Sequence, residues 1–233
     1  MAKSEIKQLH NTYQSTISFY NFLKKNNVLS NPRLNLLDAG CGIGANIFYY
    51  SKKLPKAKFI GIDYLKERIR YANNLNKNPN IEFFVDNMLK NKKPIKKNIN
   101  VVTCVHTLCC FKKIDIPLKY MFRLKPDWIA LNSLFYEGPL DVLIHIRDHT
   151  SNIKDNNVNS DFNIFSLMNL QNILKNTNYR LHEFKPFFPY KKIIKPKNGK
   201  RGSYTIKTEF SKRTTFSGPV HLPWYFVLLK RND

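Results

Sequence analysis

Acidic side chains are scarce in this chain: 16 aspartates and glutamates stand against 39 lysines and arginines, a formal net charge of +23. Glycine is scarcer still, with 8 in 233 residues, so a cluster of three, Gly40, Gly42 and Gly44, calls for a local reason. Four cysteines, Cys41, Cys104, Cys109 and Cys110, lack the paired spacing of a zinc site and read as reduced thiols. No apolar run approaches the roughly 20 residues that span a bilayer. The start, Met1 to His10, is polar and mixed in charge, without the apolar core of a secretory signal. A cytoplasmic protein with one globular domain over 1–233 is expected, its core drawn from 42% hydrophobic residues.

What is present is a pattern around those glycines. The apolar Leu36-Leu37 runs into Asp38-Ala39-Gly40-Cys41-Gly42-Ile43-Gly44, and Ala45 to Lys53 reads as a helix. Glycine permits a tight turn and lets a ligand approach the backbone where a Cβ would block it. The turn then aims helix N-terminal amides at that ligand, which suits a nucleotide-type cofactor. The spacing Gly40-x-Gly42-x-x-Ala45 also satisfies a dinucleotide fingerprint, so the glycines alone do not choose between cofactors.

Three further features choose. The chain runs from Met1 to Leu34 before this strand, whereas a dehydrogenase begins near its first strand. Asp38 stands two residues before Gly40, where a carboxylate can receive a cationic amino group. Asp86 ends a third strand, Ile81 to Val85. Together these resemble the class I S-adenosylmethionine-dependent methyltransferases, whose first motif reads acid-x-Gly-x-Gly-x-Gly. The resemblance spans roughly residues 34–135 and is loose elsewhere. It implies a Rossmann-like α/β fold: a doubly wound, mostly parallel seven-stranded sheet with an antiparallel last strand. It also implies S-adenosyl-L-methionine as cofactor. The tail, with Phe216-Ser217-Gly218-Pro219 before Pro223-Trp224-Tyr225, is loosely similar to methyltransferases of bacterial surface-polysaccharide gene clusters. That similarity suggests a small acceptor, sugar- or nucleotide-linked and anionic.

The walk along the chain agrees with such a fold. N-terminal helices over 1–33 precede strands at Asn35 to Asp38, Lys58 to Ile62, Ile81 to Val85, Ile99 to Val105 and Trp128 to Phe135, with helices between them. That alternation implies right-handed parallel crossovers. Beyond Tyr136 the rhythm changes. The polar segments 138–165 and 189–218 are expected to cap the substrate, and they flank a helix over Ser166 to Asn176 and a strand over Arg180 to Phe187. A hairpin with arms Ser203 to Phe210 and Arg213 to Ser217 lies in the second segment, and a last strand runs over Pro223 to Lys230.

Open α/β sheets bind ligands at the carboxyl ends of their strands. By position there, the resemblance assigns Asp38, Ala39, Gly40, Cys41, Gly42, Gly44 and Val105 to the cofactor. Asp63 is expected to accept the ribose hydroxyls, Tyr64 to flank the adenine, and Asp86 with Asn87 and Met88 to contact the ring. Tyr13 is expected to cover the methionine end. For the catalytic role, His106 leads, with Tyr136, Glu137 and His145 beside it; His149 and His221 compete. The lysine excess over arginine, spread from end to end, reads as compositional drift rather than a nucleic-acid arm, and Lys200-Arg201 as a solvated pair. RNA or protein methylation, and a silent cofactor-binding module, are the alternatives.

Overall fold

The computed structural model describes residues 3–90, 95, 97–147, 159–195, 197, 203–207, 213–217, 220–221 and 223–232. Two helices, α1 (Lys3–His10) and α2 (Gln14–Lys25), precede β1 (Asn35–Ala39). Then follow α3 (Ala45–Lys53), β2 (Lys58–Asp63), α4 (Lys66–Leu75), β3 (Ile81–Val85), β4 (Val101–Val105), α5 (Asp115–Arg123) and β5 (Trp128–Tyr136). The first five strands pair in parallel in the order β3-β2-β1-β4-β5, so crossovers return the chain to one sheet edge after each helix.

Consecutive residues of a strand point to opposite faces, and here both faces are covered. Leu37, Val102, Leu131 and Val227 join Leu118 and Met121 of α5, with Leu170 and Leu174, in one core. Leu36, Val101, Ala130 and Leu228 join Phe19 and Leu23 of α2, Ile47 of α3 and Ile69 of α4 in the other. That is why β4 is buried at all five positions, whereas the edge strand β3 alternates more.

After β5 come a short ribbon of β6 (His145–Arg147) and β7 (Asn159–Asp161), a two-residue β8 (Phe165–Ser166), α6 (Leu167–Leu174) and β9 (Tyr179–Pro186). Then β10 (Ser203–Lys207), β11 (Arg213–Ser217) and β12 (Val220–His221) form a separate small sheet, and β13 (Trp224–Arg231) closes the main one. β13 runs antiparallel between β5 and β9, which makes the seven-stranded core with its antiparallel closing strand. Three details differ from the sequence expectation, the first being the β6–β7 ribbon itself. β8 adds an eighth, parallel pairing to the end of β5, Phe135↔Phe165 and Tyr136↔Ser166. The expected hairpin gains a third strand through Phe216↔His221. Two-residue strands carry no alternation for a sequence to show.

Candidate active site

The carboxyl ends of β1, β2, β3 and β4 open on a cavity of about 720 Å³, within the usual range for a small-molecule site. Its floor is the glycine turn. All three glycines hold positive φ: 80° at Gly40, 57° at Gly42 and 83° at Gly44. A Cβ on Gly40 would meet Thr107 Oγ1 at 2.6 Å, and one on Gly44 would meet Phe83 Cζ at 2.5 Å. A Cβ on Gly42 meets nothing within 4 Å. Two of the glycines therefore serve packing, and Gly42 leaves room.

Asp63, at the end of β2, accepts from the Gly42 amide through Oδ2 at 3.0 Å and from the Leu65 amide through Oδ1 at 2.9 Å. The carboxylate thus couples the turn to the start of α4, with Arg68 3.8 Å from Oδ2. Asp86, after β3, accepts from its neighbour's Asn87 amide at 2.7 Å and from the Tyr120 hydroxyl at 2.6 Å. Burial, then the Asp86 contact, pushes the Tyr120 hydroxyl pKa upward.

Asp38 lies behind this wall rather than in it. It is 1% exposed, and its Oδ1 accepts from Thr103 Oγ1 at 2.7 Å, while Oδ2 is buried without a partner among the described residues. Burial pushes its pKa up to about 6, against the opposing help of Thr103 and Asn46. Asn46 itself lines the cavity, and its Oδ1 accepts from Thr16 Oγ1 at 2.8 Å, tying α2 to the site.

His106 follows β4 with a left-handed φ of 55°. Residue 132 holds it twice: the His106 amide donates to the Asn132 carbonyl at 2.8 Å, and Asn132 Nδ2 lies 3.1 Å from His106 Nε2. The Trp224 ring meets the imidazole edge-on at 4.5 Å. Desolvation lowers the His106 pKa to about 4. An amide donor on Nε2 leaves the proton on Nδ1, so in this arrangement the imidazole is neutral and its lone pair is engaged.

Of the residues singled out in the sequence, Gly40, Cys41, Gly42, Asp63, Tyr64, Asp86, Asn87, Met88, Val105 and His106 line the cavity. Asp38, Ala39, Gly44 and Tyr13 do not. Ala39 is buried in the core, and Tyr13 is 37% exposed at the start of α2. Tyr136, Glu137 and His145 also lie off the cavity wall. β5 continues through Tyr136 in register with β8. Glu137 is exposed, and its Oε1 accepts from the Tyr225 hydroxyl at 3.0 Å. His145 sits on the outer ribbon, its Nδ1 3.2 Å from Asp161 Oδ1. His221 is exposed and packs on Phe216. His149 and Lys200-Arg201 lie outside the described residues. Among the described residues of 189–218 none lines the cavity, whereas Ser160 and Asp161 of the other insertion do.

Sequence reasoning missed Gln8 and Asn46 on the helices, Thr107 and Phe111 after β4, and Ser160 and Asp161 on β7. Thr107 carried a signal in its place directly after His106, and Ser160 and Asp161 lie in the segment 138–165 that was expected to cap the substrate. Among the described residues no cluster of three or more metal-ligating side chains occurs, and no helix is long and apolar enough to cross a membrane.

Residues 36–126 match the methyltransferase domain family. No curated protein matches the chain. Among solved structures, an S-adenosylmethionine-dependent methyltransferase from Aquifex aeolicus is 16% identical, with 98% of each chain covered and a TM-score of 0.54. The magnesium protoporphyrin IX methyltransferase ChlM from Synechocystis, with bound S-adenosylmethionine, is 13% identical over 98% of this chain and 83% of its own, with a TM-score of 0.55. Against PKMT2 from Rickettsia typhi in complex with AdoHcy, the identity is 20% and the TM-score 0.40, covering 45% of this chain but only 22% of that one. The segment 36–126 thus resembles a methyltransferase domain, and the chain as a whole shares the fold of S-adenosylmethionine-dependent methyltransferases.

Proposed function

We propose that this chain transfers the methyl group of S-adenosylmethionine to a nucleophile on a small acceptor, in the cavity at the carboxyl edge of the sheet. One observation carries the reading: the only unobstructed Cβ direction in the glycine turn is at Gly42, whose amide is held by the strand-end carboxylate Asp63, in a cavity that Asp86 also lines. A nucleoside fits that donor set. Backbone amides of the turn serve its polar atoms, Asp63 its ribose hydroxyls, and Asp86 with Asn87 its base. Asp38, 1% exposed behind the wall, would act on a cationic amino group through its charge rather than by contact, while Asn46 lines the cavity itself.

The cofactor, when bound, supplies an activated methyl and a neutral leaving group, so the chain need not generate a strong electrophile. What its residues contribute is alignment, with reacting atoms held about 3–3.5 Å apart. His106, held by Asn132 and Trp224, serves this role as a fixed neutral wall of the acceptor end rather than as a base. A sugar-type molecule of surface-glycan assembly is the acceptor that the tail's resemblance suggests. Calorimetry on the full chain tests the reading: S-adenosylhomocysteine should bind and NAD should not. NAD binding without S-adenosylhomocysteine binding would replace it with the dehydrogenase reading.

A further inference from the structure

The strand-end carboxylate of Asp86 is held from two sides before any ligand arrives. Its Oδ1 accepts from the amide of the next residue, Asn87, at 2.7 Å. Its Oδ2 accepts at 2.6 Å from the hydroxyl of Tyr120, 34 residues further on and carried by α5. A carboxylate only accepts, so the phenol is the donor, and a short O–H···O⁻ contact is among the stronger hydrogen bonds. Two oxygens offer about four acceptor sites, so Asp86 keeps room for a donor on a ligand. Asp86 lines the cavity, whereas Tyr120 does not.

Tyr120 is an unusual source for that bond. The residue is 0% exposed and belongs to the core, in one cluster with Leu118, Met121 and Met88. A buried hydroxyl costs stability unless it is bonded, and a phenylalanine would fill nearly the same space without that cost. Burial, then the Asp86 hydrogen bond and its charge, push the Tyr120 pKa upward, so the oxygen keeps its proton and stays a donor. The Ile95 backbone hydrogen-bonds the same hydroxyl. Packing therefore fixes the ring and Ile95 steadies its oxygen, and the donor that Asp86 meets is rigid.

We propose that Tyr120 is a positioning residue for the cofactor: its hydroxyl fixes the Asp86 carboxylate in the orientation that accepts the exocyclic amine of adenine, and it thereby sets the preference for adenine over a purine without that amine. This rests on the methyl-transfer reading above, which puts the base at Asp86 and Asn87. A carboxylate free to rotate loses that freedom when the base binds, and one already held by a core side chain has none to lose. Tyr120 acts through Asp86 alone.

Calorimetry on the full chain with two ligands tests this: S-adenosylhomocysteine and its 6-deamino analogue, which carries purine in place of adenine. The wild type should bind S-adenosylhomocysteine roughly tenfold or more tightly than the analogue. Tyr120→Phe keeps the ring that packs the core and should fold, by circular dichroism. It should bind S-adenosylhomocysteine roughly three- to tenfold more weakly than the wild type, the scale of one hydrogen bond, and the analogue with unchanged affinity. Tyr120→Met, a second core-filling variant without the hydroxyl, should show the same split. A merely structural role would move both affinities together. In an Asp86→Ala background, Tyr120→Phe should change neither. Undiminished S-adenosylhomocysteine affinity in Tyr120→Phe, an equal loss for both ligands, or a loss that survives Asp86→Ala would overturn the proposal. Absence of S-adenosylhomocysteine binding by the wild type would instead remove the methyl-transfer reading itself, and with it any adenine for Asp86 to take.

Discussion

At the scale of single residues, a missing Cβ means different things at different points of one turn. Gly42→Val places a side chain in open space at φ 57°, so backbone strain on the order of 1–2 kcal/mol is its structural cost. The variant is expected to fold, by circular dichroism, and to lose S-adenosylhomocysteine binding in calorimetry. Gly40→Ala should instead lose stability, because its methyl collides with Thr107. Asp63→Ala should weaken S-adenosylhomocysteine binding by roughly ten- to hundredfold, the equivalent of about 1.5–3 kcal/mol for charge-assisted hydrogen bonds; a loss below threefold would make Asp63 a purely structural clamp. The pair Asp38 and His106 makes a pH prediction. Burial raises Asp38 from 3.8 to about 6, so its ionisation costs the fold nothing below pH 3.8 and about 3 kcal/mol above pH 6. Desolvation lowers His106 from 6.5 to about 4, so its cost is absent above pH 6.5 and grows as pH falls toward 4. The ring is part-exposed to the cavity, which reduces that cost to about 1–3 kcal/mol. The two slopes oppose each other across the same window. Relative to wild type, Asp38→Asn should gain stability as pH rises from 4 to 6.5, and His106→Gln should lose it. Urea unfolding of the three proteins at pH 4.5 and 7 measures both slopes.

At the scale of elements, α6 shows how the first insertion is anchored. Ser166 caps it, its Oγ accepting from the Asn169 amide at 3.3 Å and donating to the Gly138 carbonyl at 2.8 Å. Its own amide donates to Asp141 Oδ1 at 2.6 Å. Ser166→Ala should cost about 1 kcal/mol, a fall in Tm of roughly 2–4 °C for a chain of this size, measurable by differential scanning calorimetry. The strands β1 to β5 and the helices between them lie within a residue or two of where periodicity and turn residues put them, β3 and α3 without any displacement. The β6–β7 ribbon did not announce itself. Strands of two or three residues gain their order from neighbours: Asn163 Nδ2 donates to the Phe111 carbonyl at 2.9 Å, and the Ile144 amide donates to Asn163 Oδ1 at 2.9 Å.

At the scale of the molecule, the net charge of +23 and the carboxylate-rich cavity belong to different parts of the surface. Dispersed lysines neutralise phosphates without reading bases, so binding to tRNA or duplex DNA should be weak, steeply salt-dependent and indifferent to sequence. Filter binding at physiological salt checks this, and nanomolar, sequence-selective binding would favour the RNA methyltransferase alternative.

Local order was decided by the sequence alone. The acid and glycine turn between Leu37 and Ala45, the strand-end carboxylates Asp63 and Asp86, and the doubly wound alternation all rest on periods and turn residues that act over a few positions. Which polar groups share the cavity was decided only by tertiary structure. Parallel crossovers and the insertion after β5 bring Gln8, Asn46, Thr107 and Asp161 to one wall, while Asp38 sinks behind it and Tyr136 and Glu137 follow β5 off it. Those placements depend on contacts between residues far apart in the chain, such as Asn132 with His106 and Asp161 with His145, and no local pattern encodes such a meeting.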